Sequence, residues 1–311
     1  MDENAASPII VTCPLSREHR AHFSFSKNHF DLYLCRECDF RFVYPMPDDT
    51  KSVYGSDYFI GARRGFGYVN YEDDKVAMRG FFERALDAVE GVVSARGTLL
   101  DVGAATGFFL KIARERGWRV AGLEVSSYAV SEARRSGLGV VEGTLESSPW
   151  QGPTFDAITL FDVIEHVPDP RRTLARAFAI LRPGGAVAIN TPDTGSFWGR
   201  AFGRHWHAYC PPEHLSYFNQ RNIQTLAREC GFETLSVTKI GKRFTPAYIF
   251  SMLRRWQGLR FWRWMERAVL RMPLHRLELP VNIRDNMFLV VRKPAVLPPV
   301  APANRAMRKA V

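Results

Sequence analysis

Apolar residues follow two alternating periods along the middle of the chain. Short, nearly continuous apolar runs are typical of strands buried on both faces, and they lie near residues 98–102, 119–124, 139–142, 155–161 and 186–190. Between these runs, apolar residues three or four positions apart predict helices near 107–116, 128–136 and 169–181. The alternation predicts an α/β domain with a parallel sheet, right-handed crossovers and a ligand crevice at the carboxyl ends of the strands.

The same patterns extend this predicted domain over residues 97–293. They predict helices at 74–94 and 219–230, strands at 232–240 and 286–292, and a loop at 195–218. Residues 51–96 are expected to hold a lid followed by the first helix. The Gly- and Tyr-rich stretch in this segment suits a cover over a bound cofactor, with Tyr58 as the candidate contact. We expect residues 294–311 to be a disordered tail.

The first apolar strand leads into a turn of small residues. It ends on Asp101, passes through Gly103, Ala104, Ala105 and Gly107, and continues as a helical pattern. Such a turn lets a ligand lie against bare backbone, and the start of the helix supplies free N–H groups. An acidic residue at the strand end does not suit a pyrophosphate. It suits an ammonium group or hydroxyl donors.

Two later strands also end on acidic residues. The strand over 119–124 ends on Glu124, and a carboxylate at the tip of the second strand is the usual device for holding two ribose hydroxyls. The strand over 155–161 runs into Asp162-Val-Ile-Glu-His166, and Leu181-Arg-Pro-Gly-Gly185 reads as a turn before the next strand. Taken in order, these motifs resemble the class I S-adenosylmethionine (SAM)-dependent methyltransferases.

This resemblance implies a seven-stranded, mostly parallel, Rossmann-like sheet with an antiparallel last strand. The implied SAM contacts are Asp101, Gly103, Ala104, Ala105, Gly107, Glu124, Val125, Thr144, Leu145 and Asp162. Two positions depart from the family. Ala105 replaces a usual glycine, which is tolerated if the backbone stays out of left-handed space. Thr144 replaces an aspartate, so the adenine contact there is expected to come mostly from backbone.

The candidate catalytic residues lie after the predicted sheet. Glu213-His214 follows two prolines and precedes Leu-Ser-Tyr-Phe218, and this segment resembles the active site of SAM-dependent sugar methyltransferases. A histidine with a near-neutral pKa suits removal of a proton from a substrate. Glu213 is expected either to orient His214 or to bind substrate hydroxyls. The alternative role for His214 is a cap of the next helix. His166 is the second candidate base, and its alternative role is packing.

Residues 1–50 contain a candidate metal site. Cys13, Cys35 and Cys38 have the spacing of a zinc knuckle, except that Ser16 stands where its second cysteine would be. Many relatives of the resembled family, including sugar C-methyltransferases, carry such a Cys-x-x-Cys module before an aromatic-Val-x-Pro-x-Pro stretch like the one at 42–47. We expect a separate, degenerate zinc-knuckle-like module. It either binds structural zinc, with His19 or His22 as fourth ligand, or is metal-free.

Composition and charge indicate the compartment and the partners. The acidic start, the lack of a long apolar run and the odd cysteine count predict a cytoplasmic protein.

Positive charge is concentrated in the last part of the chain. From Lys239 onward there are 16 Lys and Arg against 3 Asp and Glu, whereas the rest of the chain has 26 Lys and Arg against 29 Asp and Glu. The predicted insertion at 241–284 contains a basic amphipathic helix around 254–271. It suits a membrane surface or an anionic substrate, and a packed helix with a solvated Arg face is the alternative.

The resemblance implies a SAM-dependent methyltransferase that acts on a small-molecule hydroxyl. It also implies a sugar or glycolipid acceptor, as in polysaccharide or lipid modification, with a quinone precursor as the alternative. A non-catalytic SAM-binding or membrane-associated module is the rival from another class. No nucleic-acid partner is expected, because the Asn/Asp-Pro-Pro-Tyr signature of base methylation is absent after the fourth strand. The expected location is the cytoplasm, with possible peripheral contact to the inner face of the membrane.

Overall fold

A computed structural model describes residues 10–47, 71–240, 242–244, 246, 249–250, 254, 260–272, 279–281 and 284–295. The candidate lid contact Tyr58 and almost all of the predicted tail lie outside these residues.

The strands, in chain order, are β1 Ile10–Cys13, β2 Ser16–Lys27, β3 Phe30–Cys35, β4 Phe40–Val43, β5 Thr98–Val102, β6 Arg119–Glu124, β7 Val140–Glu142, β8 Phe155–Phe161, β9 Leu181–Pro192, β10 Ser216–Tyr217, β11 Glu233–Thr238, β12 Lys242–Phe244, β13 Leu279–Val281 and β14 Asn286–Arg292. The helices are α1 Tyr71–Glu90, α2 Phe108–Glu115, α3 Ser127–Arg135, α4 Pro170–Ile180, α5 Phe197–Phe202, α6 Gln220–Glu229 and α7 Arg260–Leu270. Short 3₁₀ turns cover Leu145–Ser147 and Gly203–His205.

A seven-stranded sheet forms the centre of the fold, in the order β11-β14-β9-β8-β5-β6-β7. The five strands from β9 to β7 are parallel, and β14 is antiparallel to both β9 and β11. This arrangement confirms the predicted fold class. Neighbouring residues of β5 face opposite sides, since Leu99 and Leu100 belong to different apolar clusters. Burial on both faces explains why the strand is a continuous apolar run.

The predicted turn at 181–185 is wrong, because β9 already begins at Leu181. Leu181 pairs with Phe155, and the pairing shifts register between Phe155 and Ala157 before it continues. Gly184 has a φ of 79°. The irregularity therefore interrupts the strand without ending it.

The N-terminal residues form a second, five-stranded antiparallel sheet in the order β1-β2-β3-β4-β10. Its last strand comes from the segment predicted to be a loop, where the structure has α5, a 3₁₀ turn and β10. Ser216 pairs with Phe42 and Tyr217 with Arg41. The N-terminal sheet is therefore not formed by the N-terminal residues alone, because one of its strands lies more than 170 residues further along the chain.

Each face of the N-terminal sheet is buried against the rest of the protein. On one face, Val11, Cys35 and Phe40 belong to the same apolar cluster as Leu100 and Ile158 of the large sheet. On the other face, side chains of the sheet pack against those of the 206–217 segment, in a cluster of Leu32, Val43, Trp206, Ala208, Tyr209, Leu215 and Tyr217. The N-terminal sheet is thus a layer between the apolar core of the large sheet and the segment that carries His214.

The insertion contains regular structure in its described parts. Strands β12 and β13 form an antiparallel pair, and α7 lies between them in sequence. Among the helices of the described ranges, none combines the length and the hydrophobicity needed to cross a bilayer.

Candidate functional site

The turn after β5 requires glycine at two positions. Gly103 and Gly107 have φ values of 74° and 83°, in the left-handed region that glycine tolerates best. A Cβ on Gly103 would lie 2.7 Å from Cγ2 of Val163, and one on Gly107 would lie 2.2 Å from Cδ1 of Leu138. Both glycines therefore allow the turn to pack tightly against its neighbours.

The backbone of Ala105 does not stay out of left-handed space, contrary to expectation. Its φ is 49°, so the alanine that replaces the family glycine is in left-handed space. Its N–H donates to Oε2 of Glu124 at 2.8 Å. This buried hydrogen bond helps to hold Ala105 in its strained conformation.

Glu124 is buried at the end of β6 and accepts two backbone hydrogen bonds. Besides the Ala105 N–H, the Ser126 N–H donates to its other oxygen, Oε1, at 2.9 Å. Burial raises the pKa of the carboxyl, and the backbone N–H groups oppose this shift. Because each carboxylate oxygen has two lone pairs, the group has the capacity to accept hydrogen bonds from hydroxyl donors as well.

Asp101 lies on the neighbouring strand, where it pairs with Gly122 of β6. Its Oδ1 accepts a hydrogen bond from Thr159 Oγ1 at 2.6 Å. Burial raises the pKa of Asp101 to about 7, and the charge of Glu124 adds to the rise. A cation that binds beside Asp101 would favour the ionised carboxylate and so lower its pKa again.

The remaining predicted SAM contacts lie at the same edge of the large sheet. Asp162 follows β8 with a φ of 54°, and its Oδ1 accepts from Asn190 Nδ2 at 2.5 Å. Val125 is half-buried next to Glu124. Thr144 forms a capping box with Ser147 at the 3₁₀ turn, where the buried Leu145 follows.

The two candidate histidines are in contact. The ring centroids of His166 and His214 are 4.7 Å apart, at an interplanar angle of 81°. Nδ1 of His166 lies 2.6 Å from the carbonyl oxygen of Glu213, and Nδ1 of His214 lies 2.7 Å from that of Ala208. A carbonyl oxygen only accepts, so each Nδ1 carries the proton. Each neutral ring then has Nε2 as its basic atom.

Burial lowers the pKa of both histidines, and that of His214 falls well below its ordinary value. Both rings are therefore neutral at pH 7. The capping role for His214 is wrong, because Asn219 caps α6 by accepting from the N–H groups of Arg221 and Asn222. For Glu213, the backbone carbonyl contacts His166.

Glu165 is a third member of this cluster that was not predicted from the sequence. A carboxylate oxygen of Glu165 and ring nitrogens of His166 and His214 all lie within 4.8 Å of one another. Glu165 Oε2 accepts from Thr191 Oγ1 at 2.9 Å. Two histidines and one carboxylate are a donor set for a divalent cation as well as for proton transfer. The motif Asp162–His166 contained Glu165, but only the fold shows that it faces His214.

The predicted metal ligands converge in the N-terminal sheet. Ligand atoms of Cys13, Cys35, Cys38 and His19 all lie within 4.8 Å of one another, and Sγ of Cys13 is 3.6 Å from Sγ of Cys38. The Cys38 thiol lowers the pKa of Cys13 to about 6 through this hydrogen bond, which favours the thiolate. Nδ1 of His19 is buried without a hydrogen-bond partner. Three sulfurs and one imidazole fit the four-coordinate chemistry of zinc.

The geometry agrees with a comparison against known families. A family model described as a methyltransferase domain matches residues 74–237, which is more than half of the chain. The chain belongs to this methyltransferase family. SAM is the cofactor of the family. The donor set at the strand ends fits SAM, because Asp101 suits its ammonium group and Glu124 suits its ribose hydroxyls.

Curated relatives of this chain include enzymes named for quinone-related substrates. It is 28% identical over 154 residues to the chloroplastic 2-methyl-6-phytyl-1,4-hydroquinone methyltransferase 1 of Oryza sativa subsp. japonica, covering 47% of this chain and 44% of the relative. It is 32% identical over 104 residues to the ubiquinone biosynthesis O-methyltransferase of Pseudomonas paraeruginosa, covering 30% of this chain and 44% of the relative. The chain thus spans less than half the length of these relatives.

A solved structure has the same fold. The crystal structure of a SAM-dependent methyltransferase from Thermotoga maritima, described as a possible histamine N-methyltransferase, aligns with a TM-score of 0.50. The identity is 20%, and the alignment covers 79% of this chain and all of the other. At this identity the likeness shows the fold alone.

Proposed function

We propose that this protein transfers the methyl group of SAM to a hydroxyl oxygen of a small molecule. The observation that carries the proposal is the pair of buried carboxylates, Asp101 and Glu124, on both sides of the Gly103–Gly107 turn. A turn with no ligand would gain nothing from two desolvated carboxyl groups at adjacent strand ends, since burying charge is costly.

In this proposal the chain positions the reactants and removes one proton. SAM supplies an electrophilic methyl group on a sulfonium. Asp101 holds the ammonium group, Glu124 holds the ribose hydroxyls, and the turn lets the backbone approach the cofactor. Val125, Thr144, Leu145 and Asp162 border the same edge of the sheet. Fixing the acceptor in line with the methyl group accounts for a large part of the rate enhancement.

His214 is the proposed base, with His166 beside it. Its Nδ1 is held by the Ala208 carbonyl, so Nε2 is the atom that takes the acceptor proton. Burial keeps the imidazole neutral and therefore ready to accept a proton at pH 7. The Glu213 carbonyl fixes the His166 ring in the same way, and Glu165 and Glu213 are proposed to orient the acceptor.

Among hydroxyl acceptors, the site favours a phenol or hydroquinone over the sugar hydroxyl that the sequence implied. A histidine with a depressed pKa is a weak base, and a phenolic hydroxyl with a pKa of about 10 is far easier to deprotonate than an aliphatic alcohol. The names of the curated relatives support this choice. A hydroxyl of a sugar or glycolipid is the alternative acceptor.

We further propose that the protein is cytoplasmic and contacts the inner face of the membrane. Helix α7 exposes Phe261 and Trp264 together with Arg263 and Arg267. Exposed aromatic residues among basic ones are typical of an interfacial helix. Helix α5 exposes a second aromatic group, with Phe197 73% exposed. A lipid-linked phenol would be presented at such a surface.

The experiment is a methyl-transfer assay with purified protein, SAM and two acceptor panels, one phenolic and one of sugars and glycolipids. We expect turnover on the phenolic panel.

The same assay tests the proposed base. His214→Ala should lower turnover by about 10²–10⁴-fold with unchanged SAM affinity. The exposed His205 offers a matched control, and His205→Ala should keep full turnover. Turnover on sugars alone would reject the phenolic acceptor, and full turnover by His214→Ala would reject the base. SAM binding without turnover on either panel would favour the non-catalytic module.

A further inference from the structure

The proposed zinc site differs from the expected knuckle in its fourth ligand and in its connections. Ser16 stands where a fourth cysteine is expected, so one coordination position needs a ligand from elsewhere. His19 and His22 are both on β2 and are the two candidates.

Strand alternation separates the two histidines. Ala21 of β2 pairs directly with the ligand Cys35 of β3, and residues paired across strands lie on the same face of a sheet. His19 is two residues from Ala21 and shares its face, whereas His22 is one residue from Ala21 and lies on the opposite face. Only His19 belongs to the group of ligand atoms within 4.8 Å.

His19 also has a buried ring nitrogen without a hydrogen-bond partner, and coordination to a metal would supply one. This atom is Nδ1, and a buried polar atom is normally paired. The thiols of Cys13 and Cys38, 3.6 Å apart, are at a separation that two ligands of one tetrahedral zinc adopt. The free state of all five cysteines keeps these sulfurs available as ligands.

The loop that carries Cys38 is tied to the segment that carries His214. Asn222 Nδ2 donates to the carbonyl oxygens of Cys38 and Asp39, at 3.3 and 3.1 Å, and Asn219 Nδ2 donates to Asp39 Oδ2 at 3.0 Å. Strand β4 begins directly after this loop and pairs with β10. The N–H of Val43 donates to the carbonyl oxygen of Leu215 at 2.9 Å.

The same segment is attached to the candidate active site. The N–H groups of Leu215 and Ser216 donate to the carbonyl oxygen of Glu165 at 2.8 and 3.0 Å, and Tyr217 Oη donates to the carbonyl oxygen of His214 at 2.7 Å. Hydrogen bonds and one strand pairing thus connect Cys38 to His214 without a break.

We infer that His19 completes a Cys₃His zinc site with Cys13, Cys35 and Cys38, and that this metal holds β4 and β10 in the register that positions His214. The second part rests on the proposed function, since it assigns His214 to the acceptor side of the site. His19 is thereby a structural ligand, and the whole site is a positioning element for the acceptor residues. The SAM residues on β5 and β6 lie outside this chain of contacts.

Measurements of zinc content and of the cobalt-substituted form of the 311-residue chain test the first part. We expect about one zinc per chain in the wild type and in His22→Ala, and a clear loss in His19→Ala. His19→Cys should retain metal, and its cobalt form should gain sulfur-to-metal charge-transfer absorption as the ligands change from three sulfurs to four. These readouts do not depend on methyl transfer. Full zinc and an unchanged cobalt spectrum in His19→Ala, or no zinc in a zinc-supplemented wild type, would overturn the assignment.

Hydrogen exchange and SAM titration test the second part. Removal of zinc from the wild type should speed amide exchange over residues 213–217 and leave the SAM affinity within about twofold. Methyl transfer, if the proposed function holds, should fall in step with the loss of metal. Unchanged exchange over 213–217 after metal removal would overturn the positioning role. A zinc-loaded wild type with protected amides over 213–217 but no methyl transfer to either acceptor panel would instead show that the proposed function has failed, while the positioning role stands.

Discussion

At the residue scale, strain in the turn after β5 differs between Ala105 and Gly107. Both have positive φ, at 49° and 83°, but only Gly107 is a glycine. A non-glycine residue in left-handed space costs about 1–2 kcal/mol. Ala105 therefore reduces the stability of the turn, in a region where its N–H bonds to Glu124.

Substitutions at these two positions should act in opposite directions. Ala105→Gly should raise the free energy of unfolding by roughly 0.5–1 kcal/mol, because relief of left-handed strain exceeds the added chain entropy of about 0.4–1 kcal/mol. Gly107→Ala should lower it by roughly 2 kcal/mol or more, since strain and the clash with Leu138 add. Urea denaturation measures both. A less stable Ala105→Gly would contradict this account of the turn.

The protonation state of Asp101 should make SAM binding depend on pH. Its pKa in the free protein is about 7, and an ammonium group favours the ionised form. The SAM dissociation constant should therefore fall as pH rises from about 5.5 to 7.5, by at most tenfold per pH unit below pH 7. Titration calorimetry across this range measures the effect. Asp101→Asn should bind more weakly with a flat pH profile, and a flat profile in the wild type would refute the assignment.

The positions of the candidate SAM residues were predictable from sequence where a strand leads into a turn, and their roles stay predictions. Asp101 and Glu124 could be placed because Glu124 is the last residue of β6 and Asp101 the last but one of β5, so both lie where a strand leads into a turn. The φ of Ala105 and the part played by Glu165 could not be predicted, because both depend on packing against residues distant in sequence. The choice of His19 over His22 also needed strand pairing.

At the element scale, local periodicity predicted the strands and helices of the large sheet closely. Strand β14 has the predicted bounds, and α2, α3, α4 and α6 end within one or two residues of expectation. Strand β10 was not predicted, because a strand of two residues is too short to show an alternation of apolar and polar positions. Its partner strand β4 is also distant in the chain. The stability of β10 comes from the apolar cluster around Trp206 and Tyr217, which only tertiary structure reveals.

Helix α7 gives a prediction at the same scale. Arg260, Arg263, Arg267 and Arg271 are exposed, and each is worth about 1 kcal/mol near an anionic surface. Arg263→Gln with Arg267→Gln should therefore weaken binding to vesicles of anionic lipid by about 2 kcal/mol, a factor of about 30. Co-sedimentation at low and high salt measures this.

The control for this helix is a matched pair of exposed arginines elsewhere. Replacing Arg17 and Arg20 of β2 by glutamine removes the same charge and should leave vesicle binding unchanged. High salt should release the wild type, since the Debye length falls to about 3 Å at 1 M. A wild type that stays in solution with anionic vesicles at low salt would show that α7 is only a packing element.

At the scale of the whole molecule, the N-terminal sheet and the methyltransferase sheet share one apolar core. The sequence predicted two separate units because cysteine spacing and strand periodicity are local patterns. The structure instead places the N-terminal sheet between the large sheet and the His214 segment. The proposed cofactor site and the proposed acceptor site are therefore held by different strands. The proposed SAM site rests on β5 and β6, and the proposed acceptor site rests on β4 and β10.

The central claim is that the strand-end carboxylates of β5 and β6 bind SAM. Calorimetric titration of SAM into the wild type, Glu124→Ala and Glu142→Ala tests it most directly. Glu142 ends the neighbouring strand β7 and is exposed, so its variant is the matched control. Loss of charged hydrogen bonds to the ribose should weaken binding to Glu124→Ala by about 1.5–3 kcal/mol, or about 10- to 150-fold, with Glu142→Ala unchanged. Equal affinity of the wild type and Glu124→Ala, or no binding by the folded wild type, would contradict the account.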